Sequence, residues 1–217
     1  MANLSAVLTG DLIGSTEADP DRIERTMTIL AEQVAMIGAA IDHDPRFTRY
    51  RGDGWQIHLP HPRHFLWVTV YLNAVLRSEP KLFLPSRIAI GLGRTDRLGL
   101  TGLAGASGTA FVHSGRALDA MVVVGETIKL KGEGTDDIQR CAIAFIDDRI
   151  SRWSQEQAQA VKLDLSPGSE TQTHADMAAI LGISRQAVGA RLQAAGGRPL
   201  MKTLEAFQQH DWEPHDV

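Results

Sequence analysis

The stretch Thr173-His-Ala-Asp-Met-Ala-Ala-Ile-Leu-Gly-Ile-Ser-Arg-Gln-Ala-Val-Gly-Ala-Arg-Leu192 has less freedom in how it folds than any other part of this sequence. Thr173 can cap a helix with Asp176 at its third position, and Gly182 supplies the positive φ that ends that helix. Ser184 caps the next one. Ala178, Leu181, Ile183, Val188 and Leu192 then form a small core that holds two helices at a steep angle. This is a helix-turn-helix, a shape that offers its second helix to a DNA major groove. Arg185, Gln186, Gly189 and Gln193 are expected on the outer face, where arginine and glutamine read base edges. Arg191, Arg198 and Lys202 are expected to meet phosphates. The competing reading is a helical hairpin that only packs against a neighbour or makes a dimer.

Charge bears on that choice. The chain carries a formal net charge of −4, which removes any broad attraction to phosphate. From Arg152 onward there are six Lys/Arg against eight Asp/Glu, so DNA binding has to rest on a local patch. At 217 residues, 43% of them hydrophobic, the chain can fill one ordinary core and a small second module. The single cysteine, Cys141, excludes an intrachain disulfide and a thiolate zinc site, and reads as inert core in a reducing interior. No signal-like N-terminus and no long apolar run is present, so a cytoplasmic location without membrane partners is expected.

The first 120 residues alternate between strand and helix patterns. Leu4 to Thr9 is an apolar run stopped by Gly10-Asp11, a buried strand and its turn. Asp19-Pro20 opens an amphipathic helix through Ile23, Met27, Leu30, Val34, Ile37 and Ile41. Phe47 to Leu59 reads as a hairpin closed at Gly52-Asp53-Gly54, followed by a helix with Phe65, Val68, Leu72 and Val75 on one side. Ser86 to Gly93 alternates as a further strand, and a third helix runs through Phe111, Leu118 and Met121. The order strand, helix, hairpin, helix, strand predicts an α+β domain of ferredoxin-like or palm type over residues 1–148. An all-α helix-turn-helix domain is expected over 149–217, with Ser154-x-x-Gln157 as a capping box near its start. Residues 122–135 carry no clear pattern, and 138–150 fits strand or helix.

Asp11 at the end of the first strand and Asp53 at the hairpin tip can be adjacent in such a sheet. Two carboxylates there would hold a hard divalent cation, Mg²⁺ or Mn²⁺, which in turn clamps a triphosphate. Gly14, Ser15 and Thr16 form a polar turn able to cradle phosphate oxygens. Taken singly, Asp53 is also ordinary turn chemistry and Asp11 a plain cap.

Thr9-Gly-Asp-Leu-Ile-Gly-Ser-Thr16, Arg49-Tyr-Arg-Gly-Asp-Gly-Trp55 and Arg87-Ile-Ala-Ile-Gly-Leu-Gly93 together resemble the class III adenylate/guanylate cyclase catalytic domain. With Gly108-Thr-Ala-Phe-Val-His-Ser-Gly-Arg-Ala-Leu118, Trp153-Ser-Gln-Glu-Gln-Ala158 and the terminal module, nearly the whole chain resembles the SatD-like family, a cyclase-like domain followed by a helix-turn-helix. The resemblance implies metal binding by Asp11 and Asp53, with the Leu12 carbonyl as a further ligand. It also implies Arg49 at a base-reading position, Arg116 as a transition-state arginine, and a homodimer whose partner receives Arg116. Two positions depart from the cyclase pattern: Val112 replaces an asparagine and Gly105 a base-selecting aspartate. Valine cannot hydrogen-bond a ribose, which counts against cyclisation and leaves nucleotide binding. The expected function is a nucleotide- and metal-binding transcriptional regulator acting on double-stranded DNA. The alternative is an active, divergent nucleotidyl cyclase or other enzyme acting on a nucleoside triphosphate.

Lesser signals carry structural readings. His58, His61 and His64 are expected at the surface or at a helix start rather than as metal ligands. Trp55 and Trp67 are expected in the core, Arg94 and Arg97 as solvated loop charges, and His210 to Val217 as a frayed tail.

Overall fold

A computed structural model describes residues 4–50, 52–100, 102–121, 125–169 and 172–212. Most of the expected tail, residues 213–217, lies outside them. The elements are β1 (Leu4–Leu12), α1 (Pro20–Ile41), β2 (Phe47–Tyr50), β3 (Gly54–Leu59), α2 (Phe65–Ser78), β4 (Ser86–Arg94), α3 (Thr109–Asp119), β5 (Ile128–Gly132), α4 (Asp137–Ser151), α5 (Gln155–Asp164), α6 (His174–Leu181), α7 (Arg185–Ala195) and α8 (Gly197–Gln209). The chain is α+β, with one mixed five-stranded sheet in the order β2-β3-β1-β4-β5. Only β4 and β5 run parallel; the other neighbours are antiparallel. No helix among the described residues is long and apolar enough to cross a membrane.

The first strand does not stop at Gly10-Asp11. It runs on to Leu12 because Gly10 carries no side chain: a Cβ there would lie 2.4 Å from the Trp55 ring and 2.7 Å from the Arg87 carbonyl. Trp55 fills that space, fully buried, with its indole N–H on the Ser86 hydroxyl at 3.0 Å. Asp11 is therefore inside the sheet, opposite Gly54 on one side and Arg87 on the other.

Alternation along the strands divides the sheet into two faces. Leu4, Ala6 and Leu8 join Ile57, Leu59, Ile88, Ile90, Leu92, Ile128 and Leu130 under α1, α2 and α4. On the other face Thr9, Ala89 and their neighbours meet α3, with the Thr9 hydroxyl on Ser114 at 2.8 Å and Ala89 packed on Ala117 and Met121.

Twelve of the fourteen residues of α2 are buried, on every side rather than one. The face away from the sheet is covered by α5 and α8: Phe65 meets Phe207 and Trp212 at ring-centroid distances of 5.8 and 5.1 Å, and the Trp67 indole donates to the Leu165 carbonyl. Gln155 and Gln159 donate to the carbonyl of Ser78 at the end of α2. An all-round apolar helix belongs in the middle of a protein, and this one joins the sheet to the C-terminal helices in one continuous core. Truncating Leu72 to alanine would cost about 3 kcal/mol.

Residues 138–150 are helical: Asp136 and Gln139 form a capping box, and Ile143, Ile146 and Ile150 bury one face of α4. The expected boundary at 148/149 falls inside this helix. Cys141 is exposed, which corrects its reading as core; it sits on the face of α4 that points away from the sheet.

Candidate functional site

The register of β1 brings the two aspartates to one end of the sheet. Asp11 pairs with Gly54, the residue after Asp53, and the Leu12 N–H donates to the Asp53 carbonyl at 3.2 Å. Gly14 adopts a left-handed conformation at φ 76°, and starts a single 3-10 turn over Ser15–Glu17. That turn sets the Ser15 hydroxyl on the Asp53 carboxylate. Ser15, Thr16, Glu24, Arg49, Gly52 and Asp53 line an open depression of about 290 Å³ between the hairpin tip and the start of α1. Four of the expected ligand-binding positions, Asp53, Ser15, Thr16 and Arg49, thus line one depression, while Asp11 lies beside it in the sheet, next to Gly54 in register, with its carboxylate on Arg87.

Each charged group there already has a partner. Arg87, directly across the sheet from Asp11, grips that carboxylate with two nitrogens, the Nε at 3.0 Å. This contact, more than offsetting partial burial, raises the guanidinium's pKa above its usual value. Arg49 donates both terminal nitrogens to Glu24 at 2.7 Å and its Nε to the Gly52 carbonyl at 2.6 Å. The Glu24 hydrogen bond raises Arg49, and the same bond lowers Glu24. Neither Arg87 nor Glu24 was singled out from sequence. The pattern of β4 places Arg87 on the face opposite Ile88, but only the register shows that Asp11 is its neighbour.

The groups expected to hold a cation, the Asp11 and Asp53 carboxylates and the Leu12 carbonyl, are all oxygen donors, as is the Ser15 hydroxyl on Asp53. That chemistry fits a hard divalent cation, which would exchange with Arg87 for at least one Asp11 oxygen. Among the described residues no group of three or more His, Cys, Asp or Glu side chains is arranged to hold a metal ion. Arg116 is exposed on the outer side of α3, one turn after Val112, and forms no hydrogen bond or ion pair among the described residues. The fold of one chain does not bring it into contact with either aspartate.

The three histidines are not brought together. His58 is buried in β3 rather than exposed, stacked on Phe111 and bonded to the Thr95 hydroxyl at 3.1 Å, and burial pushes its pKa down to about 4. His61 instead meets His43, Nε2 to Nε2 at 3.1 Å. His64 is buried ahead of α2, and desolvation with Arg63 beside it lowers it to about 4. Arg94 and Arg97 are exposed, and Trp67 is only half-buried.

In the C-terminal region α6 and α7 are joined by Gly182-Ile183-Ser184. The Thr173 hydroxyl accepts from Ala175 and Asp176, Gly182 takes φ 65°, and the Ser184 hydroxyl accepts from Ala187. Met177, Ala178 and Val188 form the core, with Leu163, Leu181, Ile183 and Leu192 around it. Arg185, Gln186 and Gln193 are exposed on α7, as are Arg198 and Lys202 on α8. Gly189 is half-buried instead: a Cβ there would touch His174 at 3.9 Å. Arg191 is half-buried too, on the side towards α5, where it lowers the pKa of Glu156 after the larger effect of Ser154. The outer face of α7 is therefore centred on Gln186, Ala190 and Gln193, with Arg185 at its N-terminal end.

A scan against protein-family models found no match, and a search of curated proteins found no significantly similar sequence. The resemblance to the SatD-like family rests on the motifs quoted above.

Proposed function

We propose that this chain is a DNA-binding regulator whose cyclase-like palm portion, the five-stranded sheet with its covering helices, senses a nucleoside triphosphate bound with Mg²⁺ or Mn²⁺. The observation that carries this reading is the depression lined by Asp53, Ser15, Thr16 and Arg49, with Asp11 next to Gly54 in the strand register beside it, in a chain that also presents Arg185 and Gln186 on an exposed side of α7. Asp11 and Asp53 hold the cation, with the Leu12 carbonyl and Ser15 completing the oxygen set. The cation neutralises the triphosphate, and the turn from Gly14 to Thr16 receives its phosphate oxygens.

Binding exchanges internal partners for the ligand: the cation takes Asp11 from Arg87, and a phosphate or base takes Arg49 from Glu24. Residue 87 is one strand away from β5, which leads into α4 and the helix-turn-helix, so relaxing the Asp11 contact gives the nucleotide a route to the DNA-binding end. Two copies paired through one interface would present two α7 helices to two half-sites. In the enzymatic alternative Arg116 of a second copy completes the depression; its exposure and lack of a partner among the described residues are compatible with that, while Val112 offers no ribose contact.

The test is titration calorimetry with ATP and GTP in Mn²⁺, followed by fluorescence anisotropy on genomic fragments with and without the nucleotide. Asp53→Asn should weaken metal-nucleotide binding by about tenfold to a hundredfold at unchanged melting temperature. No binding of any triphosphate with metal would remove the sensing half. DNA binding that is absent at every salt concentration would remove the regulatory half.

A further inference from the structure

His58, His61 and His64 recur every third residue, but the fold pairs His61 with a different histidine. His43 follows the carboxyl end of α1, and its Nε2 lies 3.1 Å from the Nε2 of His61, just beyond β3. The Nδ1 of His43 is 2.8 Å from the Ile41 carbonyl. A carbonyl only accepts, so that nitrogen carries the ring proton, and the Nε2 of the uncharged ring is a bare lone pair. The two rings meet at 83° with centroids 4.6 Å apart. A straight N–H···N bond in line with both rings would hold the centroids about 5.4 Å apart. Two imidazoles on one zinc ion, each nitrogen about 2.05 Å from it, would hold them about 4.8 Å apart at the same nitrogen separation. The observed spacing is nearer the second. The angle at such an ion would be about 98°, between the square and the tetrahedral values.

We infer that His43 and His61 form a binding site for a late first-row divalent cation of the zinc, nickel or copper class, with water in the remaining positions. Imidazole nitrogen suits those ions, whereas Mg²⁺ prefers oxygen. A ligating histidine is commonly oriented by its other ring N–H on a backbone carbonyl, as His43 is on Ile41. Without the ion, the His61 Nε2 keeps its proton and donates it to His43. On binding, that proton passes through solvent to the His61 Nδ1, and both Nε2 lone pairs face the ion. Burial, then His43 and Arg63, lower the pKa of His61, which keeps the ring uncharged near neutral pH. Among the described residues no third His, Cys, Asp or Glu side chain joins the pair, and His43 is exposed, so the rest of the shell is open to solvent.

Charge around the pair is mixed. Arg63 opposes a cation, but its Nε is bonded to His64 at 3.1 Å. Asp42 and Asp44 flank His43, and Asp42 caps the carboxyl end of the 22-residue α1, where free carbonyls favour a positive charge. Among the described residues Asp42 is the one non-glycine with a positive φ, at 52°, and that turn sets His43 back against Ile41. An ion held here fastens the loop after α1 to the segment before α2. Both α1 and β3 begin beside the Asp53 depression, and the histidines lie at their far ends, about 20 Å away along β3. The inference is therefore independent of the nucleotide reading.

Calorimetry on the untagged full chain tests the inference, with ZnCl₂ titrated in excess Mg²⁺ so that oxygen sites are already taken. Wild type should bind zinc with micromolar affinity. His43→Gln and His61→Gln should each weaken that binding by about a hundredfold or more, since even an outer partner of a ligand is worth about tenfold to a hundredfold. At saturating zinc the wild-type melting temperature should rise by about 5 °C, and that of His43→Gln should not. His43 is exposed, so His43→Gln should fold and melt as wild type without metal. His210→Gln should leave zinc binding unchanged, although His210 lines a depression together with His61. Ring ¹⁵N shifts give a second readout: zinc should move the Nε2 signals of both His43 and His61 and transfer the His61 proton to Nδ1. No binding tighter than about 1 mM, binding that survives either variant, or ring shifts confined to one histidine would leave an ordinary N–H···N bond and overturn the inference. Loss of zinc binding in His210→Gln would overturn it as well. None of these failures would touch metal-nucleotide binding, which is read separately with Mn²⁺ and triphosphate.

Discussion

Arg49 and Arg185 are both arginines that the sequence assigns to a ligand, and the structure treats them in opposite ways. Arg49 is held by Glu24 and the Gly52 carbonyl, as Asp11 is held by Arg87 and Asp53 by Ser15. Arg185 and Gln186 make no hydrogen bond or ion pair among the described residues and stand in solvent at the start of α7. The sheet end is a closed set of paired charges built on a tightly packed strand crossing. A ligand there replaces existing contacts and can alter what those contacts hold. The helix face is open, and a ligand there adds contacts and has to order free side chains. The first arrangement suits a sensor and the second a reader.

The comparison breaks most readily at Gly10. If the sheet end depends on the Trp55 ring filling the space a side chain would need, Gly10→Ala should destabilise the protein by about 3 kcal/mol in urea unfolding. A loss no larger than that of an exposed substitution would show that the strand crossing is looser than described.

Acid should also act on the sheet side first. His58, with burial as the main cause, has a folded pKa of about 4 against the usual 6.5. The unfolded chain therefore takes up the proton first. Stability is full above about pH 6.5 and is lost as pH falls towards 4, by about 2 kcal/mol between about pH 7 and about pH 5. His64 adds to the loss in the same direction. His58→Gln should flatten part of this slope in pH-dependent melts.

On the proposed DNA-binding reading, Arg185→Ala should lower DNA affinity by about tenfold and reduce the salt dependence, while stability stays within about 0.5 kcal/mol of wild type. The smallest effect is expected from freeing Arg49. Glu24→Gln removes an exposed pair that contributes little to stability, so triphosphate should bind about threefold more tightly in calorimetry. Weaker binding in that variant would mean that Glu24 positions Arg49 rather than withholding it.

Much of this was legible in the residues because it is local. The caps at Asp19, Ser154, Thr173 and Ser184, the hairpin tip and the positive φ of Gly182 are each set by a few neighbouring side chains. The core of the helix-turn-helix follows from spacing alone, and all five expected residues are in it. Where local signals conflicted or a glycine had a distant cause, reading failed. Gly10 looked like a turn because the residue that needs its space is 45 positions away. Cys141 looked like core because apolar neighbours surround it in sequence, yet α4 turns it outward. Gly189 and Arg191 read as outward from the helix pattern, but His174 of α6 stands against Gly189 and α5 lies beside Arg191, neighbours that only the fold brings in.

The sequence by itself determined the elements and which residue types stand at their ends: two aspartates at strand and hairpin tips, a polar turn after the first, and a capped helix pair near the C-terminus. Those follow from backbone preference and period, which act over a few residues. Only the tertiary structure decided that Asp11 is neutralised by Arg87, that Arg49 is taken by Glu24, that α2 is sheathed on all sides, and that α4 keeps Ile138 and Phe145 in solvent. Strand register and helix docking join residues tens of positions apart, and no local spacing encodes which charge meets which.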